Sequence, residues 1–169
     1  MYSTAGVPVS EEMASRVARL LGRSPRGLEA VAVSREDGEP VVIRVASLVD
    51  DKPFPTLFWL VDRQLCYRID REEAAGAIAR LQQRVEADEQ LQRAMREDHR
   101  AHISLRQSFM SQQVSARLLA LGFGDVLACK GIGGIADFTR IRCLHTWYAA
   151  HLVVPNTIGG LLDAHWREG

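Results

Sequence analysis

Residues 129–151 place a glycine-rich stretch directly before side chains that can carry out chemistry, in the order CKGIGGIADFTRIRCLHTWYAAH. Consecutive glycines allow backbone N–H groups to converge on an anion such as phosphate, and basic side chains beside them add positive charge. The residues that could bind an anion in this way are Lys130, Gly131, Gly133, Gly134 and Arg142. The stretch matches neither a P-loop nor a complete dinucleotide fingerprint. A tight turn or close backbone packing is the alternative reason for its glycines.

Cys143 and His145 form a second candidate group in this segment. Two residues apart on an extended backbone, a thiolate and an imidazole can bind one metal ion, and these ligand types suit zinc. His151 and Asp62 are further ligands that folding could bring to them. The chain lacks the doubled ligand spacing of structural zinc sites, so no metal site is favoured and zinc binding is an alternative. The pair could also act as a cysteine nucleophile with a histidine base, or Cys143 could be a buried structural residue.

Three polar residues share one face of a predicted helix, because His99, His102 and Arg106 are spaced i, i+3 and i+7. They continue an apolar stripe and should therefore face the core or a cleft. We interpret them as a polar wall opposite the glycine stretch, where His99 is available for proton transfer and Arg106 for anion contact. Histidines that are hydrogen-bonded inside the fold are the structural alternative.

The elements that must position these residues begin with a short helix and a β-rich part. Ser10 can cap a helix that continues to Gly22. Two β-branched runs follow, at residues 28–34 and 41–48, and the Asp-Gly pair between them indicates a hairpin. Residues 56–61 are apolar enough to form a third, buried strand.

From residue 62 onward the apolar period becomes helical. Asp70 and Glu73 predict a helix cap, and a second long helix should begin near Asp88 and end at Gly122. We expect these two helices to pack as an antiparallel pair. The remainder is predicted to form a loop with at most one strand and then two helices, over residues 122–142, 145–153 and 158–166.

The composition is that of a globular protein with one hydrophobic core. The 169 residues are 47% hydrophobic and 25% charged, which predicts a single domain over residues 1–169. Because 21 basic residues balance 21 acidic ones, nucleic-acid binding is not expected. No apolar run approaches the roughly 20 residues that cross a bilayer, so we expect no membrane partner. The N-terminus shows no export signal and the three cysteines have no disulfide-like spacing, so a cytoplasmic location is expected.

Five short motifs occur in an order that resembles one bacterial protein family. They are FPTLFWL, HRAHISLR, GIGGI, RCLH and NTIG, at residues 54–60, 99–106, 131–135, 142–145 and 156–159. From residue 54 onward the chain resembles the bacterial domain-of-unknown-function family 501. The resemblance implies a bacterial cytosolic protein and assigns no reaction. The family tends to carry a cysteine or histidine where this chain has Asp62, and further histidines where Trp147 and Ala150 stand.

Taken together, the sequence predicts an α+β fold, in which a small antiparallel sheet of about three strands packs against a mainly helical remainder. The N-terminal helix, the β-rich part and the helical part are expected within residues 1–24, 28–61 and 62–169. We expect a cleft between the histidine-bearing helix, the glycine stretch and the RCLH segment, which binds a small anionic ligand such as a phosphorylated one. A non-catalytic interaction module or homodimer, and a zinc-binding protein, are the alternatives. The sequence leaves open whether His99, Cys143 or His145 is catalytic, and it names no cofactor.

Overall fold

The computed structural model describes the backbone of Tyr2–Ser3 and residues 8–168; residues 1, 4–7 and 169, at the ends of the expected 1–169 range, lie outside it. The described residues form a small antiparallel sheet and seven α-helices, which confirms the predicted α+β class. The strands are β1 (Tyr2–Ser3), β2 (Leu28–Ser34), β3 (Pro40–Val45), β4 (Leu48–Val49), β5 (Lys52–Pro53) and β6 (Phe58–Leu60). The helices are α1 (Glu11–Leu21), α2 (Arg63–Ala74), α3 (Ala77–Glu86), α4 (Glu89–Phe109), α5 (Gln112–Ala120), α6 (Leu144–Val153) and α7 (Thr157–Glu168).

The main sheet has the order β1-β2-β3-β6 with antiparallel neighbours, and β4 and β5 pair as a separate two-stranded sheet. The three strands that the sequence predicts are β2, β3 and β6. The turn between β2 and β3 contains Gly38 at a φ of 84°, a left-handed conformation that glycine adopts without strain. The strands β1, β4 and β5 have two residues each, too few to show the alternation by which a strand is recognised in a sequence.

The first predicted helical segment is divided into α2 and α3, and its predicted cap at Asp70 is wrong. The side chain of Asp62 caps α2 instead, because its Oδ1 accepts a hydrogen bond from the Leu65 N–H at 2.9 Å. Asp70 lies inside α2. Gly76, at a φ of 82°, separates α2 from α3.

The second predicted helical segment is divided in the same way. α4 begins after the predicted cap Asp88, and it ends at Phe109. Ser111 then caps α5 through a hydrogen bond from the Val114 N–H. Residues 122–142 contain no strand, contrary to the option that the sequence left open, but they contain two 3-10 turns, Leu127–Cys129 and Ile132–Gly134.

The sheet lies between two apolar clusters. Ile43 and Val45 of β3 pack with α1, whereas Val42 packs with the helical part, as expected for alternate residues of a strand. α6 is central to the larger cluster, to which its first turn contributes the buried Leu144, whereas His145 and Thr146 are only partly buried. Within the described part of the chain, every helix is too short or too polar to cross a membrane.

Candidate functional site

Four side chains that can carry out chemistry meet where α6 begins beside α2. Cys143 precedes α6 as its cap residue, and His145 lies in the first turn. Asp70 and Glu73 lie three residues apart on α2 and face them. The Leu144 N–H, which has no partner within the helix, donates a hydrogen bond to Glu73 Oε1 at 2.7 Å. This bond holds the beginning of α6 against α2.

The donor atoms of Glu73, Cys143 and His145 all lie within 4.8 Å of one another. His145 Nδ1 is 3.8 Å from Cys143 Sγ and 3.5 Å from Glu73 Oε1. The other ring nitrogen of His145, Nε2, is 3.1 Å from Asp70 Oδ1. Asp70 therefore orients the imidazole so that Nδ1 points towards the thiol and Glu73.

The ionisation of Cys143 is coupled to that of His145. Burial raises the pKa of the Cys143 thiol, but hydrogen bonds from His145 and the backbone of Thr146 outweigh burial, so this pKa is lowered. The hydrogen bond to Cys143 is also the main reason why the pKa of His145 is raised to about 9. Both shifts favour a thiolate beside an imidazolium.

The other two cysteines have different surroundings. Cys66 is half-buried, its Sγ donates to the Leu60 carbonyl at 3.6 Å, and burial raises the pKa of its thiol to about 11. Cys129 is exposed on a 3-10 turn. Between Cys66 and Cys143, it is Cys143 whose surroundings favour the ionised form.

Two kinds of chemistry fit this geometry. A thiolate, an imidazole and a carboxylate are zinc ligands, and three protein ligands leave a fourth position for water or a substrate. Asp70 then corresponds to the carboxylate that commonly orients a metal-binding histidine. In the second kind of chemistry, Cys143 is a nucleophile, His145 its base and Asp70 the group that orients the base.

A surface hollow of about 330 Å³ borders this group, and His145 forms part of its wall. The hollow also contains an exposed cation and two hydroxyl side chains, namely Arg23, Thr56 and Thr146. The Arg23 guanidinium lies 5.3 Å from the centre of the Trp59 ring, within the range of a cation–π interaction. A small molecule in this hollow would lie beside His145.

The predicted polar wall and the glycine stretch do meet, but they bind each other. The Ile132 N–H donates to Nδ1 of the fully buried His99 at 2.9 Å. Buried Arg106 donates to four backbone carbonyls, those of Pro55, Leu127, Lys130 and Gly131. Burial lowers the pKa of His99 to about 4 and that of His102 to about 3, so both are neutral at pH 7.

The remaining residues of the predicted anion site have varied surroundings. Gly131 touches His99 so closely that a Cβ would lie 2.1 Å from Nδ1. Gly133 and Gly134 have positive φ values and pack against Thr146 and Pro55 respectively. Lys130 is half-buried, and Arg142 is exposed directly before Cys143. The glycine stretch thus adjoins the first turn of α6, and its backbone is used within the fold.

Two of the ligands in the alternative zinc site that the sequence offered lie outside the group of Glu73, Cys143 and His145. His151 Nε2 lies 3.0 Å from Asp163 Oδ2, and its Nδ1 accepts a hydrogen bond from the Asn156 N–H. Asp62 caps α2 and forms an ion pair with Arg35. Both side chains are therefore occupied elsewhere in the fold.

Comparison with known proteins identifies the family of the chain. The family described as "Protein of unknown function (DUF501)" matches residues 31–164. The chain belongs to this family. No curated protein and no solved structure matches the chain. The DUF501 segment includes α2, the glycine stretch and α6, and therefore all four side chains at the beginning of α6.

Sequence reasoning missed Asp70 and Glu73 as members of the group in the DUF501 segment. Their spacing of three residues suggested a helix cap, whereas inside a helix the same spacing places both carboxylates on one face. That face is the side of α2 that packs on α6. The pattern that could have indicated Asp70 and Glu73 is a pair of acidic residues one helical turn apart in a chain that also carries a Cys-x-His pair.

Proposed function

We propose that the chain binds a zinc ion through Glu73, Cys143 and His145, with one coordination position left for water or a substrate. The convergence of three donor atoms of zinc-binding type within 4.8 Å carries this proposal. A mixed set of sulfur, nitrogen and oxygen ligands favours zinc over magnesium or calcium, which prefer oxygen ligands.

The supporting contacts of the group favour a metal site over a chance cluster. Glu73 Oε1 accepts the Leu144 N–H, which holds the carboxylate beside the thiol. Asp70 holds the far side of the imidazole. Carboxylate partners of this kind fix the orientation of metal-binding histidines, and their loss typically weakens metal binding about 10- to 100-fold.

Three protein ligands are typical of catalytic zinc sites, whereas structural sites usually have four. The chemistry that such an ion supplies is activation of a bound water for hydrolysis, because zinc lowers the pKa of that water to about 7. Among the described residues, Cys66 is not part of the group, and its Sγ contacts the Leu60 carbonyl. We therefore infer zinc-dependent hydrolysis rather than a purely structural ion.

A small anionic ligand is the second function that an observation favours, and we place it in the hollow beside His145. Arg23 supplies positive charge there, and Thr56 and Thr146 supply hydroxyl groups. This location differs from the one expected from the sequence, because the guanidinium of Arg106 already donates to four carbonyls. An interaction module or homodimer stays a prediction.

Metal analysis of the purified protein tests the zinc proposal. After incubation with zinc and dialysis, we expect about one zinc per chain, measured by elemental mass spectrometry. Cys143→Ser and Glu73→Gln should lose most of the metal, and Asp70→Asn should bind zinc about 10- to 100-fold more weakly. Cys129→Ser is the matched control, because Cys129 is an exposed cysteine outside the group.

The cysteine-nucleophile alternative predicts a different result. A folded wild-type protein that retains no more zinc than Cys143→Ser would refute metal binding. Rapid alkylation of Cys143 by iodoacetamide, slowed in His145→Gln and in Asp70→Asn, would then support the nucleophile. The zinc proposal instead expects that bound zinc protects Cys143 from alkylation.

A further inference from the structure

A second cavity, of about 390 Å³, lies between α4 and the end of α6. None of the three proposed zinc ligands contributes to its wall. Most of the wall is apolar and includes Phe58, Leu105, Ile132 and Val154. A cavity of this size with a few polar groups among apolar ones is typical of a small-molecule site.

His102 contributes a polar group that the protein leaves unsatisfied. Its side chain is buried in the wall of the cavity, and its Nε2 has no hydrogen-bond partner within the described residues. A buried polar group without a partner destabilises a fold. The ring packs edge-on against Phe58 in the same wall.

Asp98 determines which ligand charge the cavity favours. Of the described residues that line the cavity, it is the only acidic one, and none of them is a lysine or an arginine. The Thr157 N–H donates to Asp98 Oδ2 at 2.8 Å, which fixes the position of the carboxylate. Because this carboxylate is half-buried, its interaction with a cation is screened less than on an open surface.

We propose that this cavity binds a small hydrophobic amine, whose apolar group packs against Phe58, Leu105 and Ile132 and whose ammonium group pairs with Asp98. The single negative charge in an apolar wall favours an amine over a neutral analogue and disfavours an anion. The site is separate from the zinc ligands, so amine binding should be the same with and without zinc.

Three probes of similar shape test the proposal with the full chain. Phenethylamine, 2-phenylethanol and phenylacetate carry a positive, a neutral and a negative group on the same aromatic frame. Titration at pH 7, followed by amide chemical shifts, should give the tightest binding for the amine, about five- to tenfold weaker binding for the alcohol and the weakest binding for the acid. Shifts should include the amides of residues 98–108, Val154 and Asn156.

Two variants locate the effect. Asp98→Asn keeps an oxygen acceptor for the Thr157 N–H, and it should lower the affinity for phenethylamine to that for 2-phenylethanol. Glu97→Gln is the matched control, because Glu97 is the exposed neighbouring acid and does not line the cavity. Ala101→Trp fills the mouth of the cavity from an exposed position and should weaken binding of all three probes.

The proposal is overturned if the three probes bind equally, if phenylacetate binds best, or if phenethylamine binds Asp98→Asn as tightly as wild type. Absence of any phenethylamine binding at millimolar concentration also overturns it. If Asp98→Asn does not fold, the comparison of the three probes on the wild-type chain and on Ala101→Trp decides the question.

Discussion

Lowering the pH from 7 to 5 should destabilise the protein through two buried histidines. Burial lowers the pKa of His99 from 6.5 to about 4 and that of His102 from 6.5 to about 3. Below pH 6.5 the unfolded chain therefore takes up protons that the native protein does not bind, and stability falls as the pH falls. Once His99 is protonated, its Nδ1 can no longer accept the hydrogen bond from Ile132.

The size of the effect follows from these pKa values. Each pH unit between the unfolded and the folded pKa changes the free energy of unfolding by about 1.4 kcal/mol per histidine. At pH 5, about 1.5 units below the unfolded pKa, each histidine costs about 2 kcal/mol and the pair about 4 kcal/mol. This loss is a large share of the roughly 5–15 kcal/mol by which small domains are stable.

Urea unfolding at pH 7, 6 and 5 measures this loss. His99→Asn retains an oxygen near the position of Nδ1 but cannot titrate, so between pH 6 and 5 its unfolding free energy should change about 1.4 kcal/mol less per pH unit than that of wild type. His165→Asn is the comparison variant, because it replaces a histidine that is exposed on α7 rather than buried. A wild-type stability that is constant between pH 6.5 and 5 would refute the reasoning, as would an unchanged dependence in His99→Asn.

Two further predictions concern the glycine stretch and the hollow beside His145. Gly131→Ala should lower the free energy of unfolding by about 3 kcal/mol, because the new Cβ overpacks against His99. Gly160→Ala in α7 is the control: its Cβ would meet nothing within 4 Å, so it should be neutral or stabilising by up to about 1 kcal/mol. Equal effects of the two substitutions in urea unfolding would show that the His99 contact does not restrict residue 131. Phenyl phosphate should raise the melting temperature of the wild-type protein but not that of Arg23→Gln. Arg26→Gln, which removes an exposed arginine paired with Asp50, is the control and should respond like wild type. Equal shifts in the two variants would exclude the hollow as the anion site.

The elements that the sequence predicts well are those determined by short-range contacts. Ser10 and Gly22 bound α1 as expected, and the Asp37–Gly38 turn joins β2 to β3. The breaks at Gly76 and Ser111 were missed, because a single glycine or serine is tolerated inside many helices. Only packing against the rest of the fold decides whether such a residue ends a helix.

The functional residues were harder to predict, because their partners are distant in the chain or belong to the backbone. The sequence indicated that His99 and Arg106 face the glycine stretch, and they do. It could not indicate that Arg106 is already bound by carbonyls, since every residue type carries a carbonyl and no side chain marks the contact. The polar face of His99 and Arg106 therefore forms hydrogen bonds within the fold.

The carboxylate at residue 73 is the strongest sign that the group at the beginning of α6 does more than cap this helix. Capping the Leu144 N–H requires only one neutral acceptor, which a glutamine would supply. Glu73 instead brings a second carboxylate, beside Asp70, to a thiol and a single imidazole. His145, whose pKa is raised to about 9, offsets one of these negative charges as an imidazolium, and a metal ion would offset the charge that remains. Glu73→Gln therefore separates the two roles, because it keeps the hydrogen bond to α6 and removes only the charge that a metal ion would need.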